Sequence, residues 1–254
     1  MPKLCQEFCC RFVRASRQSN DDHLTDITKP CYKATMKSEH LKQARLRRGY
    51  SQEQAAALLG VTQAYFSMLE TGRRKPSARL ARNLMRTYGL PPTVLPVSNG
   101  PKNVTPDFLA QELASLGYPG FAHLRRSGLR KVNPAEYLLS ALTQHDVEAR
   151  VAEGLPWVVV RYPDMDFDWL VPQARMKNLQ NRLGFAVTLA RLAGGNDSLR
   201  QPEQALAESK LAKEDSFCKD LNEPERRWLR ENSSEQARQW NLLSDLRPDM
   251  LRYV

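Results

Sequence analysis

No uninterrupted apolar stretch in the 254 residues approaches the ~20 that a membrane-spanning helix needs, so a soluble chain without membrane contact is expected. Cysteine is scarce beyond the N-terminus: Cys5, Cys9, Cys10 and Cys31 cluster early, and Cys218 stands apart. An odd, clustered set does not describe a disulfide framework, and with no convincing secretory segment a reducing cytoplasm is the expectation. A glycine-rich phosphate cradle is missing. The four histidines, His23, His40, His123 and His145, form no His-x-x-x-His pair and place no base beside a nucleophile. The common signatures of phosphate-loop enzymes and zinc hydrolases are thereby excluded, and no catalytic residue, metal or cofactor is expected.

The most telling shortage is of acid between residues 36 and 96, which hold eleven Lys and Arg against three Asp and Glu, a net +8 of the chain's +10. Residues 1–35 carry +2, and residues 97–254 balance at 21 against 21. A basic segment attached to a neutral remainder is the electrostatic footprint of polyanion binding, since each cation placed at a phosphate releases condensed counterions. A merely solvated basic face would carry the same charge, so the motif must decide. Hydrophobic residues at 41% and charged residues at 26% are ordinary for a globular chain long enough for two cores.

Residues 1–35 show no sustained period and are expected to be poorly ordered; Met36-Lys37-Ser38-Glu39 reads as a natural start, which would make them an upstream extension. A metal or redox site from Cys5, Cys9, Cys10, His23 and Cys31 is the rival, but its spacing matches no common zinc pattern. Residues 36–96 are read as one domain, 97–104 as a linker rich in turn residues, and 105–254 as a second, mainly helical domain. Helices are expected to start at Thr105-Pro106 and at Asn133-Pro134, the latter with Glu136 closing a capping box and the helix ending before Gly154. Leu155–Val160 is the one strand candidate. One helix from Trp169 to Leu192 follows, with Leu179, Leu183, Phe185 and Leu189 in the core and Gly194-Gly195 at its end. Helical stretches are read around 202–213, 223–231 and 234–246. The fold class is mainly α with little β.

Residues 41–76 hold the strongest signal. Ser51 suits an N-cap for a helix bearing Ala55, Leu58 and Leu59 on one face, Gly60 supplies a positive-φ turn, and Thr62 caps the next helix. Small Ala55 and Ala56 allow close helix approach, while Val61, Phe66 and Leu69 form an apolar wedge. Such a pair presents its second helix as a rod able to enter a major groove ~12 Å wide.

The joint occurrence, in register, of Ser51-Gln52-Glu53-x-x-Ala56, Gly60-Val61-Thr62 and Leu69-Glu70-x-Gly72-Arg73-x-x-Pro76 resembles the Xre and phage-repressor (Cro/C1-type) helix-turn-helix family over about 60 residues. The resemblance implies a five-helix head that binds double-stranded operator DNA. It makes the helix from Gln63 to Thr71 the recognition helix, with Gln63, Ala64, Tyr65, Ser67 and Met68 facing bases. Gln52, Thr62, Arg73, Arg74 and Lys75 would meet the DNA backbone. Tyr65 stays open between groove contact and partly buried aromatic, and Glu70 is expected to be structural. Tyr50, where a smaller aliphatic residue is common in the family, is expected to alter packing. By the same resemblance the chain would be a dimeric repressor on the bacterial nucleoid or, as the alternative, an antitoxin whose second domain neutralises a toxin protein.

In the second domain Asp164, Asp166 and Asp168 alternate. On a strand they would share a face and could hold a divalent metal, the enzyme reading; as loop and helix-start residues, Asp164 would be a turn residue and Asp168 an N-cap, the structural reading. Trp157, Trp169, Trp228 and Trp240 are expected mainly in the core, an exposed pair near the C-terminus being the sign of a partner site.

Overall fold

The computed structural model describes residues 38–97, 104–125 and 131–254. The cysteine cluster, His23 and residues 98–103 of the expected linker lie outside the described residues.

Four helices build the head: α1 (Ser38–Arg47), α2 (Gln52–Leu59), α3 (Gln63–Glu70) and α4 (Ala78–Tyr88), with a 3-10 turn at Pro92–Val94 as the fifth element. Their boundaries follow from local chemistry. Ser51 Oγ accepts the Gln54 N–H at 3.1 Å while Gln54 Oε1 accepts the Ser51 N–H at 2.8 Å, a reciprocal capping box. Gly60 ends α2 in the left-handed region at φ 68°, and Thr62 Oγ1 then accepts the Tyr65 N–H to start α3. The head's core is Leu41, Ala55, Ala56, Phe66, Leu69, Leu80, Ala81, Leu84 and Tyr88, with Leu90, Val94 and Leu95 from the following segment. Tyr50 packs against this core partly buried. Leu58 departs from the expected inner face of α2 and is 56% exposed. The adjoining turn closes over Ala55, Ala56 and the partly buried Leu59 instead.

The remainder has its own core, arranged around α9 (Gln180–Gly194), whose residues from Gln180 to Ala190 are all buried. Packed against it are α6 (Pro134–Leu142), α7 (Ala149–Arg161), α8 (Phe167–Met176), α10 (Arg200–Ala207) and α12 (Glu235–Gln239), while α5 (Pro106–Leu116) packs on α6 and α7, and α11 (Glu223–Asn232) lies against Leu242–Leu243. The only sheet among the described residues is a parallel pair of two-residue strands, β1 (Asp215–Ser216) and β2 (Leu242–Leu243). Thr105 and Asn133 cap α5 and α6 as expected, but Asn133 Oδ1 accepts the Ala135 N–H without the capping box expected with Glu136, and the helix expected to run to Gly154 is two, α6 and α7; Gly195 at φ 62° caps α9.

The expected strand at Leu155–Val160 is helical and belongs to α7. Its residues are buried on nearly every side, and a run without a polar face offers periodicity nothing with which to separate strand from helix. Pro156 sits inside α7, where its missing N–H forgoes one ladder bond; burial of Leu155, Trp157, Val158 and Val159 offsets that loss. Gly154 is no terminator either. A Cβ there would lie 2.5 Å from Leu113 Cδ2, so glycine is what lets α7 approach α5. The single helix expected from Trp169 to Leu192 is two, broken at Asn178 with φ 56°, though Leu179, Leu183, Phe185 and Leu189 are buried. The last expected helix stops at Gln239, after which the chain turns through Asn241 at φ 50° into β2. Trp157, Trp169 and Trp240 are core residues, whereas Trp228 on α11 is 47% exposed.

Polar contacts join head and remainder. Asn133 Nδ2 donates to the Leu95 carbonyl at 2.6 Å while its Oδ1 caps α6, and Thr93 Oγ1 donates to Asp164 Oδ2 at 3.2 Å. His40 Nδ1 lies 3.5 Å from the same carboxylate oxygen.

Candidate nucleic-acid interface

The face of α3 turned away from Phe66 and Leu69 carries the sequence-predicted residues. Gln63 and Ala64 are exposed, and Tyr65, Ser67 and Met68 are half-buried at its edge. Thr62, exposed, is the helix cap. Beyond α3, Gly72 at φ 69° turns the chain, and Arg73, Arg74 and Lys75 project into solvent. Tyr65 packs partly on the core and its hydroxyl donates to the Lys75 carbonyl at 3.4 Å, which ties the basic loop to the helix.

Behind this face runs a polar chain that sequence reading did not find. Glu70, 6% exposed, accepts from Arg45 Nε at 2.7 Å and from Arg45 Nη2 at 3.3 Å. Arg45 also donates through Nη1 to the Tyr50 carbonyl at 2.7 Å, so its charge is neutralised and its fork largely used. Glu70 Oε2 accepts from Gln52 Nε2 at 2.7 Å, and Gln52 Oε1 accepts from Gln63 Nε2 at 3.0 Å. The structural role expected for Glu70 is thus specific: a buried ion pair fixes one glutamine, which orients the next. The signal available in the sequence was a glutamine at the first position of each of two capped helices, eleven residues apart. Gln52, expected at the DNA backbone, keeps one amide hydrogen beyond its bond to Glu70.

The head's exposed charge is mainly basic, with Glu39 and Glu53 as its exposed acids. Among the head's acids Glu70 is consumed internally, whereas Arg73, Arg74, Lys75 and the outward-facing Arg79, Arg82 and Arg86 of α4 are exposed. Arg86 bonds Asn83, a neutral partner, at 2.6 Å.

The aspartates of the enzyme reading do not share a strand face. Asp166, not Asp168, caps α8, its Oδ1 accepting the Trp169 N–H at 3.0 Å, and Asp168 lies inside the first turn, with Pro172 later in the same helix. Asp164 is a turn residue engaged with the head. Burial raises the Asp166 carboxyl above its ordinary value, opposed by the Trp169 N–H and by the charge of Lys75. That arrangement is a helix start beside a lysine. Among the described residues no group of three His, Cys, Asp or Glu is placed to hold a metal ion.

No described helix is long and apolar enough to cross a membrane. Residues 38–96 match the family model described as a helix-turn-helix domain. A protein of Bacillus subtilis (strain 168) described as an uncharacterised HTH-type transcriptional regulator, YqaF, is 34% identical over 59 residues, which cover 23% of this chain and 78% of that protein. No solved structure matches the chain. Capped α2 and α3 joined through Gly60, the Arg45–Glu70 pair and the matched span agree, and through residues 38–96 the chain belongs to the helix-turn-helix family in its Xre-like form.

Proposed function

We propose that the chain is a sequence-specific transcriptional regulator, in which α3 enters the major groove of double-stranded DNA and a homodimer represses transcription at a palindromic operator on the bacterial nucleoid. The observation that carries this reading is Gln63, exposed at the first position of α3 and held from behind by Gln52. Gln63 uses one amide hydrogen on Gln52. Its second amide hydrogen and its Oε1 stay available, the pair of groups that matches N7 and N6 of adenine. Ala64 and Met68 offer apolar contact suited to thymine methyl groups, and Arg73, Arg74 and Lys75 supply charge for phosphates. One recognition helix reads only a few base pairs, so a two-fold pair of heads about 34–36 Å apart provides the length a genomic site requires.

The test is selection of bound duplexes from a random-sequence pool with the full chain, followed by sedimentation of the complex. One enriched inverted repeat, bound by two chains, is expected; a pool without enrichment would remove sequence specificity. On the selected operator, Gln63→Ala should cost about 1–3 kcal/mol, with little change on random DNA. Equal losses on both would mean that Gln63 does not read bases. Arg73→Ala should weaken both duplexes alike and reduce the slope of log K against log salt by about one. An unchanged slope would deny Arg73 a phosphate.

A further inference from the structure

Between the head and the remainder lies a cleft of about 1030 Å³, walled by α1, by the chain leaving α4, and by the ends of α5 and α7. Its lining is mixed: Leu90, Pro91 and Leu116 contribute apolar surface, and Arg47 from the head stands with Arg125, Lys131 and Arg161 from the other side. Among the described residues Asp164 is the one carboxylate in the lining, and it already accepts from the Thr93 hydroxyl and faces His40.

Cations at helix ends often serve the unpaired carbonyls there, and this accounts for part of the set. The Leu116 carbonyl, however, is taken by the Tyr162 hydroxyl at 2.6 Å, and the Gly117 carbonyl by Arg125. Arg161 lies over the Tyr162 ring, 5.5 Å from its centroid, a contact that leaves its donors available. Arg47 and Arg161 stand in the last turns of α1 and α7, and among the described residues no carboxylate pairs with Arg47, Lys131 or Arg161. Low-dielectric walls concentrate the field of such charges inside a concavity.

We propose that this cleft is a binding site for a small organic phosphate, its phosphoryl oxygens held by Arg47, Lys131 and Arg161 and its apolar body laid on Leu90, Pro91 and Leu116. Cations contributed by different elements suit a tetrahedral group whose oxygens point several ways better than a planar carboxylate. A volume of this order accommodates a metabolite-sized molecule, and a concavity suits such a ligand better than the continuous backbone of a duplex. Because the phosphate would touch Arg47 on α1 and Arg161 on α7, its binding is coupled to how the head is held. Any effect on DNA affinity must be matched by a reciprocal effect of DNA on the ligand.

The experiment is calorimetric titration of the full chain with inorganic pyrophosphate at constant ionic strength, for the wild type and for Arg161→Gln combined with Lys131→Gln. One site per chain is expected, weakened at least about tenfold in the double variant by the lost charge-assisted contacts, with thermal unfolding of the free protein unchanged. Absence of saturable binding, or equal binding by wild type and variant, would overturn the proposal. A random 20-base-pair duplex serves as the second arm. If the double variant lowers the salt dependence of duplex binding and the duplex displaces pyrophosphate, the cleft is a DNA-backbone groove and the small-molecule assignment fails. None of these outcomes depends on the existence of an operator, so the site stands or falls apart from the repressor reading.

Discussion

Replacing Glu70 with alanine is expected to remove about 3–5 kcal/mol from the head, because it strands the Arg45 guanidinium, 7% exposed, without its counter-charge. A domain of this size has little more than that to lose. Among the described residues Arg45 then keeps the Tyr50 carbonyl alone, a neutral acceptor that does not cancel its charge. Calorimetry should show the head melting early while the body, which has a separate core, keeps its own transition. Binding to the selected operator should vanish with the head. An unchanged transition would show that water reaches Arg45 and that the pair is not buried in solution. The double replacement Arg45→Met with Glu70→Leu separates stability from reading. Apolar side chains of similar volume can restore the fold, since a buried pair is often matched by good packing. Gln52 would nevertheless lose its anchor on Glu70 and Gln63 the orientation it derives from Gln52, so a folded head with relaxed specificity is expected.

What the sequence made legible was local chemistry. Ser51, Thr62, Thr105 and Asn133 cap the helices they precede because a cap requires only one side-chain oxygen and the next three residues. Gly60 and Gly195 stop helices for an equally local reason, a positive φ. Where several residues could serve, the choice was tertiary. Asp166 rather than Asp168 caps α8 because the turn that carries Asp164 back to Thr93 sets where the helix begins. Gly154 reads as a helix end in sequence, yet it is a point of close approach, as is Gly184 beneath the Trp240 ring. The strand at Leu155–Val160 failed for the converse reason: burial from all sides erased the pattern that distinguishes the two states. The Arg45–Glu70 pair spans 25 residues and the seam between head and body joins positions 71 apart, separations over which no periodicity speaks.

The body should respond most to Arg182, whose guanidinium is fully buried and binds four times. Nε and Nη2 meet the two oxygens of Asp215 at 2.9 and 3.1 Å, and Nη1 meets the carbonyls of Leu142 and Gln144 at 3.1 and 3.0 Å. One side chain thus joins α9 to the end of α6 and to β1. Arg182→Met fills much of the space but supplies no donor, leaving two carbonyls and a carboxylate to be satisfied at once. A loss of about 3–5 kcal/mol from the body is expected, read as a lowered second transition with the head's transition unmoved. The consequence for DNA discriminates between two ways of assembling the proposed dimer. If the body holds the two chains together, heating the variant past its body transition should drop operator affinity to that of an isolated half-site, about 10²-fold or more. Single heads should then bind without cooperativity. If affinity instead survives melting of the body, the heads themselves dimerise on DNA. The exposed Leu46 and Leu58 of α1 and α2, each 56% accessible, would then be the first positions at which to look for the contact.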